Sequence, residues 1–416
     1  MQNQEIKTGK LKKTVLVVGG GISGITAAVE AAETGCRVYL VEKLPYLGGH
    51  VARMNEYFPK LCPPYCGLEI NFRRIRNSNR IEVIPSTTVN SISGTAGDFT
   101  VELRSEPEYV SSACTACGEC SSVCPVESAN PFNYGMNVRR AIDLPHELSY
   151  PERYFLDDDV CLKNNCRKCV QACRYDAINL DAESRTFTIN VGTILFCTGW
   201  SPYDPERLLE YSWGKSSDII SNVMMERLCA PNGPTLGRIL RVSDKEPARR
   251  IAFVQCAGSR DENHLSYCSA VCCSASLKHA LYFAEQDPGN QADIYYIDLR
   301  VSGGNEDFLR RVENHEQIRL IKGKVSGIDL ENGKPVVEAE DILYGRKIRH
   351  PYDLVVLATG IVPNVPSISG LELDRDGFII KEALEDGFGA GGCCAEPKDV
   401  ASTVRESTGL IIHALK

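Results

Sequence analysis

No run of about 18 apolar residues occurs in this 416-residue chain, so no membrane-crossing helix is expected. The first residues, MQNQEIKTGKLKK, lack the apolar block of a secretory leader. Positive charge is in deficit: 46 Lys and Arg face 54 Asp and Glu, a formal net charge of −8, which removes nucleic acid from the expected partners. Low-complexity linkers, charge blocks and fixed-period repeats are also missing. With 43% hydrophobic residues, a chain of this length has core material for two to three domains. Cysteine is what the chain has in plenty, with 19 residues. The size of the chain and the missing leader point to reduced thiols in a cytoplasmic setting rather than to disulfides.

Twelve of the cysteines fall into three groups. The first two are Cys114-x2-Cys117-x2-Cys120-x3-Cys124-Pro125 and Cys161-x4-Cys166-x2-Cys169-x3-Cys173. Two-residue gaps turn successive thiolates inward onto one [4Fe–4S] cube, while the fourth cysteine of each run reaches the other cube. The expected ligand sets are therefore Cys114, Cys117, Cys120 and Cys173 for one cluster, and Cys161, Cys166, Cys169 and Cys124 for the second. Structural zinc also uses CxxC pairs, but it seldom takes four cysteines in one short run followed by proline. The second run has four residues in its first gap, and Arg174 where proline is usual. The extra residues within Leu162–Asn165 can bulge outward without displacing Cys166 and Cys169. Lys163, Arg167, Lys168 and Arg174 give this cluster a basic rim, by default a solvated one. Cys36, Cys197 and Cys229 stand singly in apolar surroundings and read as packing residues.

Thr14–Val18 is a short β-branched run followed by Gly19-Gly20-Gly21-Ile22-Ser23-Gly24, an alanine-rich helix to Thr34, a strand at Arg37–Val41 and Glu42 at its tip. Strand, GxGxxG, helix, strand and acid in this order form the dinucleotide-binding fingerprint. Gly19 permits the tight turn, Gly21 admits the pyrophosphate, Gly24 lets helix and strand pack closely, and the helix start with Ser23 supplies donors. Glu42 is placed to accept from ribose hydroxyls. The fingerprint alone leaves FAD and NAD open. Lys43–His50 (KLPYLGGH) resembles the loop of FAD-binding disulfide-reductase-like flavoproteins, which adds Lys43, Gly49 and His50 as candidate contacts. Gly192–Gly199 and Tyr352–Gly360 are apolar strands ending in Thr-Gly, similar to the two ATG strands of that superfamily, and add Thr198, Gly199 and Gly360. Gly387–Val400 (GFGAGGCCAEPKDV) resembles its second FAD motif and adds Gly392, Cys393, Lys398, Asp399 and Val400. Cys393 stands where the superfamily has Asp, which puts one ribitol hydrogen bond in question. A helix from about Asp399 to Ala414 would aim its N-terminal dipole at the flavin.

Between the two Thr-Gly strands, Arg250–Val254 and Ala292–Ile297 read as strands and Ser274–Glu285 as the helix joining them. The loop after the first strand is QCAGSR rather than a glycine fingerprint, so nicotinamide binding is not expected there. Cys256, Cys268, Cys272 and Cys273 fill this region instead. Their spacing leaves open a third [4Fe–4S] cluster, a redox disulfide or scattered buried thiols. Cys62-Pro-Pro-Tyr-Cys66 reads as a loop near the isoalloxazine, since its prolines do not suit a helix interior.

FVQCAGSRDENHLSYCSAVCCSASLKHA resembles the signature of the A subunit of heterodisulfide reductases. LGGHVARMNEYFP with Cys62 and Cys66, the double-cluster insert and the late PKDV match that family too, from about residue 12 onward. The resemblance implies that Cys256, Cys268, Cys272 and Cys273 ligate an unusual [4Fe–4S] cluster beside the flavin. The compact form with one insert is most similar to the A subunit of the quinone-interacting membrane-bound oxidoreductase complexes of sulfate reducers. The expected fold class is α/β. A FAD-binding Rossmann-type domain occupies 12–108, 187–244 and 353–416, a ferredoxin-like insert 109–186, and a second Rossmann-like unit 245–352. The resemblance implies FAD and [4Fe–4S] cofactors and an electron-transfer role between the menaquinone pool and adenylylsulfate reductase. The implied partners are a membrane haem or quinone subunit with a second flavin/iron–sulfur subunit, which would attach the chain peripherally to the cytoplasmic side of the inner membrane. No residue set reads as a dedicated general base or substrate pocket. The alternatives are a heterodisulfide-reductase-type flavin subunit with other partners, electron bifurcating or not, an NAD(P)H-dependent iron–sulfur flavoenzyme, and a zinc-binding scaffold.

Overall fold

Thr14–Val18 lies at the centre of a five-stranded parallel sheet. It pairs on one side with Arg37–Val41, which pairs with Ile81–Ile84, and on the other with Thr193–Phe196, which pairs with Phe388–Ala390. The computed structural model describes residues 13–414 except 59, 302 and 369; Lys12, the expected first residue of the flavin domain, lies outside them. All five residues of TVLVV are buried, because a parallel sheet is covered on both faces and its strands read as continuous apolar runs. Val15 and Val17 pack against Ile25, Ala28 and other residues of the helix Ile22–Glu33 and its neighbours. Leu16 and Val18 pack on the opposite face against Phe99, Val101 and Leu103. Those three belong to an antiparallel meander of Thr87–Thr95, Asp98–Ser105 and Arg185–Val191.

The same two-layer plan occurs a second time. Arg250–Ala257 sits in a parallel sheet ordered Ile219–Ser221, Leu354–Thr359, Arg250–Ala257, Gln291–Tyr296, Ile318–Lys322. Ile251 and Phe253 face Leu277, Ala280 and Phe283 of the helix Cys272–Gln286. Ala252 and Val254 face a second meander of Val325–Glu331, Lys334–Asp341 and Arg346–Pro351. The expected boundaries need correction here. Ile219–Ser221, placed in the flavin domain by 187–244, and Leu354–Thr359, placed there by 353–416, are strands of the second unit. The border lies instead at a two-stranded ribbon, Trp200–Pro202 against Ile361–Pro363. Short apolar strands are interchangeable by pattern, and pairing across more than a hundred residues decides to which sheet each belongs.

The cysteine-rich insert leaves after Asp98–Ser105 and returns at Arg185–Val191, and Ser105 pairs directly with Arg185. Its own small core holds Tyr109, Val110, Ile142, Leu156, Ile178 and Leu180. An arm of the insert reaches back to the flavin domain. Phe132 is buried in that domain's core, and Tyr150 stacks on Phe72 with ring centroids 5.3 Å apart. The fully buried Arg227 fixes the arm from the second unit, donating to Asn133 Oδ1 at 2.8 Å and to the Arg53 carbonyl at 3.1 Å.

Candidate functional site

A cavity of about 420 Å3 runs from the first glycine loop into the second unit, within the size range of small-molecule and cofactor sites. Gly19, with φ +108°, could not carry a side chain, since a Cβ would stand 2.3 Å from the Cys197 carbonyl oxygen. Gly24 is likewise closed: its Cβ would meet Gly19 O at 1.8 Å, which is the helix-to-strand contact expected of the third glycine. Gly21, Ser23, Glu42, Lys43, Gly49 and His50 all line the cavity. The Glu42 carboxylate accepts from Gly20 N–H at 2.6 Å and Leu44 N–H at 2.8 Å. Burial raises its pKa against these bonds. His50 stacks on Trp200 at 4.0 Å, with Nε2 2.8 Å from the Trp200 carbonyl. Burial pushes its pKa down to about 4, so the ring is neutral at pH 7.

Thr198 and Gly199 line the far wall, as do Cys393, Lys398, Asp399 and Val400. Asp399 caps the helix Val400–Ala414 by accepting from Ser402 N–H at 2.6 Å, which leaves the helix start facing the cavity. Gly392 packs against Ser23 rather than on the wall: a Cβ added there would fall 3.0 Å from that of Ser23. Gly360 does not line the cavity. It closes against Ser259 and Ser269 of the third cysteine loop, so its expected flavin contact is corrected to a packing role. The expected loop at Cys62–Cys66 is also corrected. Pro63 is the N-cap and Pro64 the first residue of a helix, Pro64–Asn77, the one place where proline suits a helix. Cys66 opens onto an outer cleft between two helices, and neither cysteine lines the cavity.

The insert brings its two cysteine runs together. Cys114, Cys117, Cys120 and Cys173 surround one small cavity beside Tyr154. Cys124, Cys161, Cys166 and Cys169 surround a second, and Leu162 and Lys163 of the widened gap sit on its rim. In each case the structure brings together the four cysteines that the crossed spacing groups. Among the described residues no three Cys, His, Asp or Glu converge closely enough for a single metal ion. Burial, then the neighbouring Cys114, pushes the Cys120 thiol up to about 12. The Cys120 thiol therefore holds its proton until cationic metal replaces it.

The third group lies in the second unit, where the QCAGSR loop replaces a glycine fingerprint. Cys256 stands next to last in the central strand in a left-handed conformation, φ +58°, and Cys272 and Cys273 open the helix Cys272–Gln286. Burial raises the Cys272 pKa, and the neighbouring Cys256, Cys273 and Cys268 raise it further. The backbone N–H of Arg300 donates to Cys273 Sγ and that of Ala270 to Cys268 Sγ, each at 3.4 Å. Ala270 and Val271 line the large cavity, so one turn of backbone separates this group from it.

The comparisons with known proteins agree with this geometry. Residues 14–122 match the family described as FAD dependent oxidoreductase. The A subunit of the H(2):CoB-CoM heterodisulfide,ferredoxin reductase of Methanothermobacter marburgensis is 34% identical over 417 residues, 96% of this chain and 63% of that protein. The iron-sulfur A subunit of the CoB--CoM heterodisulfide reductase of Methanocaldococcus jannaschii is also 34% identical, over 97% of this chain and 64% of its own length. The chain belongs to the family of heterodisulfide reductase A subunits. It spans less than two thirds of the length of these relatives. The cofactors that follow are FAD and iron–sulfur clusters. Among solved structures, Lactococcus lactis thioredoxin reductase superposes with a TM-score of 0.54 at 14% identity, covering 96% of this chain and 97% of that one, a likeness of fold. No helix among the described residues is long and apolar enough to cross a membrane.

The sequence reading missed a charged group on the cavity wall. Glu226, Lys278 and His279 all line the cavity and are buried. Lys278 Nζ pairs with Glu226 Oε1 and donates to the Glu56 carbonyl at 2.6 Å; His279 Nε2 lies 3.1 Å from Glu226 Oε1, and Asn55 N–H donates to Glu226 Oε2 at 3.0 Å. Burial works to raise the Glu226 pKa, but Lys278 and His279 outweigh it and hold the carboxyl at about 2. Burial keeps His279 below the usual histidine range. The available signal was Lys-His inside the otherwise apolar helix stretch LKHAL.

Proposed function

We propose that the chain is a FAD and iron–sulfur electron-transfer subunit of a heterodisulfide-reductase-like assembly, with substrate chemistry in partner subunits. The observation that carries the reading is that two cavities of four thiols each, and a third group of four cysteines around the loop that replaces a glycine fingerprint, occur in one chain with a cavity of about 420 Å3 at the first glycine loop. When bound, FAD exchanges electrons in pairs or singly and each cluster exchanges one, which suits a junction between two-electron and one-electron couples. Gly19, Gly21, Ser23 and Glu42 would hold the dinucleotide, and His50 with Trp200 would wall the ring. Glu226, Lys278 and His279 place polar, charge-bearing side chains at the wall, where at pH 7 the Glu226 carboxylate is ionised and the His279 imidazole neutral. The twelve cysteines, Cys114, Cys117, Cys120, Cys173, Cys124, Cys161, Cys166, Cys169, Cys256, Cys268, Cys272 and Cys273, would hold three clusters, with the insert as the relay to the outside.

The finer reading is that the assembly links the menaquinone pool to adenylylsulfate reductase and sits on the inner membrane through its partners. The layout of one cysteine-rich insert within the flavin domain, followed by a second Rossmann-like unit, supports it. Anaerobic analysis of the purified chain should return one FAD and roughly 12 iron atoms per chain. Iron near 8 would remove the third cluster, and zinc without acid-labile sulfide would sink the whole reading. For the finer reading, a menaquinol analogue should bleach the flavin of the intact assembly, and adenylylsulfate with its reductase should restore the colour. Reoxidation by a thiol-derived disulfide alone would replace sulfate respiration with another partner set.

A further inference from the structure

Most of the charged side chains that line the large cavity have partners, and one base does not. Lys278 faces Glu226, Lys398 faces Glu396 and Glu406, and Arg300 faces Asp298, while Lys43 is exposed. The other acids of the wall are engaged as well: Glu42 accepts from Gly20 and Leu44, Glu56 from Tyr282 Oη, and Asp399 from Ser402. Arg53 lines the cavity, is partly buried, and pairs with no carboxylate among the described residues. Aromatic rings stand where an acid would be expected. Arg53 donates to Tyr46 Oη at 3.1 Å, and its guanidinium lies over the rings of Phe132 at 5.5 Å and Tyr134 at 5.3 Å. Ring faces lower the cost of burying a cation, yet they carry no net charge to cancel it. Burial works to lower the Arg53 pKa, but Tyr46 and Tyr134 outweigh it, so the charge stays on the side chain.

The other groups nearby do not restore the balance. Arg227 also lies over Phe132, at 4.7 Å, and burial lowers its pKa only to about 10, so it adds a second positive charge. Burial holds His50 and His146 at about 4, and both rings are neutral. The chain also fixes which end of the cavity Arg53 serves. Gly49 abuts Gly21 of the glycine loop, where a pyrophosphate belongs. From there the chain runs through His50 into the turn Val51–Arg53, and Arg53 N–H donates to the His50 carbonyl at 3.0 Å. The Arg53 carbonyl accepts from Arg227 at 3.1 Å, and Asn55 N–H donates to Glu226 at 3.0 Å. Arg53 therefore stands away from the phosphate end, where the second unit closes the cavity. Two of its three rings come from the cysteine-rich insert. Residues 130–134 follow Cys124 by one short strand, Glu127–Ala129. Asn130 Oδ1 accepts from Phe132 N–H at 3.0 Å, and Tyr134, at φ +52°, holds a conformation uncommon for an aromatic residue and itself lines the cavity.

We propose that Arg53 is an uncancelled positive charge at the ring end of the flavin cavity that raises the flavin's affinity for electrons, and that the insert arm holds it there through Phe132 and Tyr134. A fixed cation in a site with little water favours the electron-rich form of whatever lies beside it. An acid in place of the rings would have removed that effect, and an open guanidinium in solvent would have been screened. The insert then does more than carry electrons: by seating its arm it also sets how strongly the flavin holds them. The proposal rests on the reading of this cavity as the flavin site. Flavin content of the wild-type chain tests that reading separately.

The test is a reductive titration of the full chain, with its flavin and clusters in place, against reference dyes at pH 7 in a buffer free of sulfate and phosphate. In Arg53→Gln the ratio of reduced to oxidised flavin at a fixed potential should fall at least ten-fold, a midpoint about 30 mV lower for a two-electron couple. Arg53→Lys, which keeps the charge, should recover most of the loss. Tyr134→Ala should lower the ratio at least three-fold in the wild-type background and leave it unchanged in Arg53→Gln, because its effect runs through the guanidinium. An unchanged ratio in Arg53→Gln would overturn the proposal, as would Tyr134→Ala acting equally with and without Arg53. Loss of FAD from both Arg53 variants would make Arg53 a residue that holds the dinucleotide instead. A difference between wild type and Arg53→Gln that appears only on adding sulfate would make a bound anion its partner. Either result would also overturn it.

Discussion

Replacing Lys278 by methionine tests the charged group on the cavity wall most directly. The side chain is 2% exposed and its ammonium is the main positive charge facing Glu226. In the wild type the Glu226 carboxyl stands at about 2 against an ordinary 4.5, a gap worth about 3 kcal/mol. The sign follows from a depressed pKa: the stabilisation is present above pH 4.5 and is lost as the pH falls toward 2. In Lys278→Met the partner is gone and burial dominates, so the Glu226 pKa climbs above 4.5. The variant then loses stability as the pH rises through the new value, the reverse of wild type. Leaving a buried charge without its partner costs about 3–5 kcal/mol, and at about 2–4 °C per kcal/mol that lowers the melting temperature by roughly 6–20 °C. Melting followed by circular dichroism at pH 5, 7 and 8 reads the effect. The Lys278→Met, Glu226→Gln double variant should recover more than half of the loss and flatten its pH dependence. A single variant as stable as wild type at every pH, or a double variant no better than the single one, would refute the reasoning.

Three other outcomes follow from the structure. Cys120→Ser should remove the cluster of Cys114, Cys117 and Cys173 while FAD content and the signal of the Cys256–Cys273 group persist in electron paramagnetic resonance; loss of all signals together would show that the insert is inseparable from the core. NADH and NADPH should leave the flavin oxidised in stopped-flow mixing, because Cys256 and its loop take the place of the pyrophosphate-binding glycines; bleaching within the first second would contradict this. Arg227→Met should free the arm around Phe132, since it removes donors to Asn133, Arg53 and Asn232 and strands buried acceptors at about 1–3 kcal/mol each; faster proteolysis near residues 130–150 is the readout, and unchanged cleavage would count against the anchor.

The parts of the molecule legible in the sequence are those fixed by local spacing. Thr14–Val18 and Arg37–Val41 appear with the expected bounds because both are short β-branched runs set off by glycine. The crossed grouping of Cys173 with Cys114 and of Cys124 with Cys161 follows from how far a three-residue gap can reach. What stayed hidden depends on contacts distant in sequence. Leu354–Thr359 carries the same apolar pattern whichever sheet it joins. Glu226 and Lys278 meet across 52 positions, and nothing near either residue announces the other. The helix after Cys62 was hidden for another reason: proline disfavours a helix interior but suits its first turn, and composition does not say which position Pro64 takes.

Ser105 and Arg185 face each other across one rung of a ladder, so nearly eighty residues of cluster-bearing chain hang from a single hairpin opening. Seen from the flavin domain, the whole insert is an oversized turn. A short loop in its place would leave every strand pair of the meander intact, and a foreign module with adjacent ends would graft at the same rung. A lineage could therefore change how many clusters feed the flavin, or at what potential, by exchanging one continuous stretch of gene. Repairs would be needed at the arm's seats: the flavin-domain pockets that now hold Phe132 and Tyr150, and the second unit's Arg227 side chain that pins Asn133.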